Sequence, residues 1–123
     1  MNIYNMENTI KSNTYDFTIR RGENDVHQLL NWTVNDQPFI LADAQEIRVD
    51  FRMNPRLCGA PDLSLTQLNG GLAVSANNLD MLFGENTLAL HPGVYYYDVL
   101  VIKEGQRHNW VNGKMVLENI ITR

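Results

Sequence analysis

Cysteine is nearly missing from this chain: Cys58 is the only one. A lone thiol forms no intramolecular disulfide framework and builds no thiolate metal site by itself. No apolar run approaches the roughly 20 residues that span a bilayer as a helix. Positive charge is also scarce, since 10 Lys and Arg stand against 14 Asp and Glu for a net charge of −4. Phosphate-driven, non-specific nucleic-acid binding is therefore disfavoured. The opening Met1-Asn2-Ile3-Tyr4-Asn5-Met6-Glu7-Asn8 has neither the basic nor the apolar region of a secretory signal, so the expectation is a protein made in a cytoplasm.

The motifs of common chemistries are missing too. There is no Gly-x-Ser-x-Gly elbow, no His-Glu-x-x-His, no Gly-x-Gly-x-x-Gly and no phosphate loop. The acidic residues scatter through turns and suggest no carboxylate pair for glycoside hydrolysis. His27, His91 and His108 lie in three separate segments, none with a second ligand at metal spacing. Asn31-Trp32-Thr33 fits the glycosylation pattern but falls inside a predicted strand. Cys58 lies in a loop, where reactivity would require a cationic environment. These observations assign no catalytic, cofactor-binding or metal-ligating residue, and the expectation is a protein that is not an enzyme and uses no cofactor.

What is present is strand signal. The chain has 123 residues, 44% of them hydrophobic and 20% charged, the make-up of one globular domain able to bury a core. Its centrepiece is Pro92-Gly93 followed by Val94 to Ile102, a run of aromatic and β-branched residues suited to a pleated surface. Alternation puts Tyr95, Tyr97, Val99 and Val101 on one face and Val94, Tyr96, Asp98, Leu100 and Ile102 on the other. The uncharged set is expected inside. A strand this apolar on both faces is either central or meets another chain.

Taken in order, residues 1–13 are Asn-rich, show no period and read as an N-terminal arm. The domain then spans residues 14–123. Tyr15, Phe17 and Ile19 alternate with polar residues, and Arg21 to Asp25 form a turn. Val26 to Asn35 is read as a strand with Leu30, Trp32 and Val34 facing the core. A turn at residues 35–38 and a short return at Phe39-Ile40-Leu41 follow. Glu46 to Asn54 alternates most cleanly, with Ile47, Val49, Phe51 and Met53 inward and Arg48, Asp50 and Arg52 outward. Leu63 and Leu65 start a strand closed by Asn69-Gly70-Gly71. Leu72 to Ser75 and Leu79 to Phe83 pair through a turn at Asn77-Asn78. Gly84 to Leu90 closes one helical turn, and Gly105 turns the chain again. Arg107 to Thr122 makes a last strand or strand pair interrupted at Asn112-Gly113. Seven to nine short strands and no amphipathic helix predict an all-β, immunoglobulin-like antiparallel sandwich with Greek-key connections. The expected core is Phe17, Ile19, Leu30, Trp32, Ile47, Val49, Phe51, Leu72, Val74, Tyr95, Tyr97, Val99 and Val101.

A set of residues in fixed order carries a resemblance. Arg20-Arg21-Gly22-Glu23 closes the first strand, and Leu41-Ala42-Asp43-Ala44 precedes the strand with alternating Arg. Gly93-x-Tyr95-x-Tyr97-Asp98 leads the long strand, and Gly113 with Ile121-Thr122-Arg123 ends the chain. Over residues 14–123 the sequence resembles the small immunoglobulin-like β-sandwich modules of tailed-phage virions, similar to the N-terminal domain of baseplate upper proteins. Glu23 stands where Asp is usual, and the Cys58 loop is long. The resemblance implies a virion structural protein of a tailed phage or prophage, docking to capsid, neck, tail or baseplate as decoration, adaptor or fibre base. It implies other virion structural proteins as partners and repeated copies or a homo-oligomer on a symmetric assembly, with no nucleic acid and no membrane.

The contact candidates follow from face and residue type. Tyr96 shares a face with Asp98, and tyrosine is enriched at interfaces. Tyr95 and Tyr97 belong to the core, where one ties its hydroxyl to backbone as immunoglobulin corner tyrosines do. Trp32 reads as a buried sandwich tryptophan, while Trp110 in the last strand is either core or interface. Arg48 and Arg52 form a basic stripe that either meets an acidic partner or is a solvated face softened by Asp50. Tyr4 represents the arm. The partner-interface candidates are thus Tyr4, Tyr96, Trp110, Arg48 and Arg52. The alternative function is a carbohydrate-binding module for host attachment, which needs exposed aromatics grouped on one face.

Overall fold

The computed structural model describes residues 14–30, 32–34, 37–54 and 60–119. Its strands are β1 (Phe17–Arg20), β2 (Asp25–Leu29), β3 (Thr33–Val34), β4 (Gln37–Pro38), β5 (Glu46–Arg52), β6 (Leu63–Thr66), β7 (Leu72–Ser75), β8 (Asn78–Phe83), β9 (Gly93–Lys103) and β10 (Gln106–Glu118). Eight of them build two sheets, in the orders β1-β10-β9-β5-β6 and β2-β8-β7, while β3 and β4 form a small pair of two residues each. β2 pairs with β8, and β5 with β9, so Greek-key crossovers link the sheets. The fold is an immunoglobulin-like, all-β sandwich. The pairing is antiparallel with one exception, because β1 runs parallel to β10.

β9 lies between β10 and β5; the second sheet covers its inner face, while on its outer face Val94 and Tyr96 are exposed and Leu100 is buried. Tyr95, Tyr97, Val99 and Val101 are all buried, as are Ile47, Val49 and Phe51 on β5. Facing them from the second sheet are Leu29, Leu72, Leu79, Met81 and Phe83. Each such side chain contributes about 1.5–3 kcal/mol when fully buried. One edge of the sandwich is closed by aromatic rings. Phe17 stacks on His27 at 3.9 Å and meets Tyr97 edge-on at 5.5 Å, and Phe51 lies 5.8 Å from Phe83. These contacts join β1, β5 and β9 to β2 and β8.

Polar contacts fix the connections. Tyr95 donates its hydroxyl to the His91 carbonyl at 2.6 Å, the corner tyrosine expected at the start of this strand. Thr87 is fully buried, accepting from Gly22 N at 2.7 Å and donating to the Gly84 carbonyl at 2.8 Å. Arg21 donates to the Leu88 carbonyl from Nε and Nη2 and to Asn119 Oδ1 from Nη1. The first turn is thereby clamped onto the 3₁₀ turn Glu85–Thr87, which supplies the expected helical turn.

Several expectations shift. Leu30 is 55% exposed, and Leu29 takes its place in the core, because β2 ends at Leu29 before the chain reaches buried Trp32. Val74 and Phe17 are partly buried and pack against the core rather than within it. Met53 lies past the end of β5 and is exposed. The β7–β8 turn sits at Ala76-Asn77, one residue early, with Ala76 at a φ of 52° and Asn77 Nδ2 donating to the Trp32 carbonyl. β10 continues through Asn112-Gly113, and its irregularity falls between His108 and Val111. Gly113 serves close packing: a Cβ there would lie 1.9 Å from the Tyr15 carbonyl oxygen. That oxygen accepts the Tyr97 hydroxyl at 2.6 Å. The arm, Asn31, Cys58 and the chain end beyond residue 119 lie outside the described residues.

Candidate interaction surface

The outer face of the five-stranded sheet is set by the same alternation that fills the core. Residues paired across its strands form rows running perpendicular to them. In one row Lys114 on β10, Tyr96 on β9 and Arg52 on β5 are consecutive partners. The next row holds Asn112, Asp98, Asp50 and Ser64, and the one after it Leu100, Arg48 and Thr66. On the other side of the Tyr96 row, Val94 pairs with Val116, which pairs with Thr18 on β1. A basic row bearing an aromatic ring thus lies directly beside an acidic row.

Tyr96 is 39% exposed, and Lys114 Nζ lies 5.9 Å from its ring centroid, within cation–π range. Val94 at 40% and Val116 at 37% are similarly uncovered. Large apolar side chains therefore gather at this end of the face. Asp50, Arg52, Tyr96, Tyr97 and Asp98 line a shallow hollow of about 190 Å³.

The two carboxylates are not equivalent. Asp50 accepts a hydrogen bond from Ser64 Oγ, and Arg48 Nε stands 3.3 Å from its Oδ2 without the alignment of a hydrogen bond. Asp98 accepts from its own backbone N–H and receives a long contact from Asn109 Nδ2 at 3.5 Å to Oδ2, besides Coulombic attraction from nearby Arg52 and Arg48. Desolvation first, and repulsion from Asp50 second, hold the Asp98 carboxyl above the ordinary aspartate range. Arg48 also reaches Glu46 Oε2 at 3.5 Å, so its charge is offset on its own strand.

Of the sequence candidates, Tyr96, Arg48 and Arg52 come together on this face. Tyr4 lies outside the described residues, and Trp110 falls at the β10 irregularity with its side chain outside what the structure describes. Lys114, Val94 and Val116 were missed as contact residues. The alternation of β9 could have found Val94, but Lys114 and Val116 emerge only once β10 is seen to run unbroken through Gly113. Among the described residues, no three His, Cys, Asp or Glu side chains gather to hold a metal ion. No helix among them is long and apolar enough to cross a membrane. The chain matches no protein-family model and no curated protein.

Proposed function

We propose that this chain is a non-enzymatic structural subunit of a tailed-phage or prophage virion, one that docks to its neighbours through sheet faces and the N-terminal arm. The observation that carries the reading is the outer face of the larger sheet. Its exposed Val94, Tyr96 and Val116 are framed by fixed charges, a composition suited to protein contact. Binding by interface burial needs a rigid platform, and the two packed sheets supply one. The ordered residues of the phage-module resemblance support the same role: Arg21 and Gly22 form the first joint, and Tyr95 the second.

Quantitative mass spectrometry of purified particles tests the proposal against the major capsid protein. A fixed stoichiometric ratio is expected: one per capsid subunit or capsomer for decoration, or a small cyclic number for neck, tail or baseplate. Absence from washed particles overturns it.

A second reading has one observation in its favour. The half-exposed Tyr96 ring beside Arg52 and Asp98 offers a stacking surface with flanking hydrogen-bonding groups, as a carbohydrate-binding module requires. Saturable binding to a host glycan, lost in Tyr96→Ala, is the outcome that would move this reading ahead.

A further inference from the structure

We propose that the outer face of the five-stranded sheet is the interface of a two-fold homodimer, the basic row of one copy lying over the acidic row of the other. The inference deepens the docking role proposed above and rests on that reading of the face.

When two copies stack face to face, their two-fold axis lies in the plane between them. Let it run across the strands between the Lys114–Tyr96–Arg52 row and the Asn112–Asp98–Asp50 row. The operation then places each row over the other row of the partner. Arg52 meets Asp50 of the second copy, Tyr96 meets its Asp98, and Lys114 meets its Asn112, with the reciprocal contacts made at the same time. A surface carrying adjacent rows of opposite charge is complementary to itself under this operation, and a foreign partner would need to reproduce both rows in register. One step further out, Val94 falls over Leu100 and Val116 over the β10 irregularity between His108 and Val111, so exposed apolar side chains are covered too.

The placement of the axis follows from which charges are already engaged. Arg48 is paired with Glu46 and Asp50 on its own strand, and Asp98 has its own backbone N–H, the long contact from Asn109 and attraction from Arg52 and Arg48. Between these two rows the operation gives Asp98, whose carboxyl is partly desolvated and repelled by Asp50, a new aromatic neighbour in Tyr96 of the second copy. The area is sufficient for a modest affinity. Strand spacing and rise make the face about 24 Å wide and about 23 Å long, a footprint on the order of 500 Å² a side. That is the small end of specific interfaces, so the dimer forms at micromolar concentrations or above.

Sedimentation velocity on the full chain, from micromolar to near-millimolar concentration, reads the equilibrium directly. Wild type is expected to pass from monomer to dimer. Arg52→Glu places like charges over Asp50 and Asp98 of the second copy, and Asp98→Lys does the same to the basic row. Each is expected to weaken the dimer by about tenfold or more, as charge reversal at a paired site does. In an equimolar mixture of the two variants one Arg52–Asp50 contact is native and the introduced glutamate gains the introduced lysine diagonally, so partial recovery of the dimer, as a heterodimer, is expected. Lys114→Glu, at an exposed position, serves in place of Arg52→Glu if that variant loses its cooperative thermal transition. A wild type that remains monomeric overturns the proposal, as does a dimer indifferent to both reversals or a mixture that fails to recover. None of these results bears on whether the chain is present in particles, so the failure of the dimer and the failure of the virion role are read separately.

Discussion

His27 is the one imidazole built into the sandwich edge. Its ring stacks on Phe17 at 3.9 Å, and its buried Nε2 has no hydrogen-bond partner. Desolvation therefore lowers its pKa below the ordinary histidine value, with Asp25 pulling weakly the other way. The sign of the linkage follows. A depressed folded-state pKa means that the unfolded chain takes up the proton first. The contribution to stability is complete above the unfolded value of about 6.5 and is lost as pH falls through the folded value. His108 is shifted in the same direction by burial and by Lys103. Urea denaturation at pH 7, 6 and 5 is expected to show a falling midpoint. His27→Phe keeps the aromatic stack without the proton site and should remove part of that fall, His108 retaining the rest. An unchanged slope in the variant would show that the edge stack is not acid-sensitive.

At the scale of elements, legibility depended on whether a strand has one polar face. β5 does, and in β9 the single charge of Asp98 marks the outer face, so alternation placed Ile47, Val49, Phe51, Tyr95 and Tyr97 inside and Tyr96, Arg48 and Arg52 outside. β2 does not. Val26, Leu29, Leu30 and Trp32 occupy both parities, and the choice is made by His27 packing on Phe17 of another strand, which no local pattern encodes. β10 misled for a different reason. Asn112-Gly113 has the chemistry of a turn, yet the glycine is there because the Tyr15 carbonyl crosses above it. The same misreading hid Lys114 and Val116, and with them half of the candidate surface. Gly113→Ala tests this account. Its Cβ would collide with backbone 1.9 Å away, so the β1 lead-in must move and the Tyr97 hydroxyl must lose its 2.6 Å acceptor. Overpacking of this kind costs about 1–3 kcal/mol, to be read from chemical denaturation. A neutral effect would mean that the Tyr15 segment shifts freely and that β1 is not anchored there.

For the molecule as a whole, the decisive pairing is also the most remote. β1 joins β10 in parallel register, and Thr14 meets Asn112 across a sequence separation of 98. A contact so distant is entropically expensive to form early, and sandwiches dominated by such pairings fold in milliseconds to seconds. The hairpins β7–β8 and β9–β10 close short turns and need no such search. β1 is therefore expected to dock after the rate-limiting step, onto a sheet already built around β9. Gly113→Ala then becomes a kinetic probe as well as an equilibrium one. If β1 docks late, a destabilisation of about 2 kcal/mol appears almost wholly as faster unfolding, about 30-fold, with the folding rate unchanged. Stopped-flow chevrons of the wild type and the variant separate the two limbs. A slowed folding limb would instead place the β1–β10 closure inside the nucleus, and with it the chain segment that leads in from the arm.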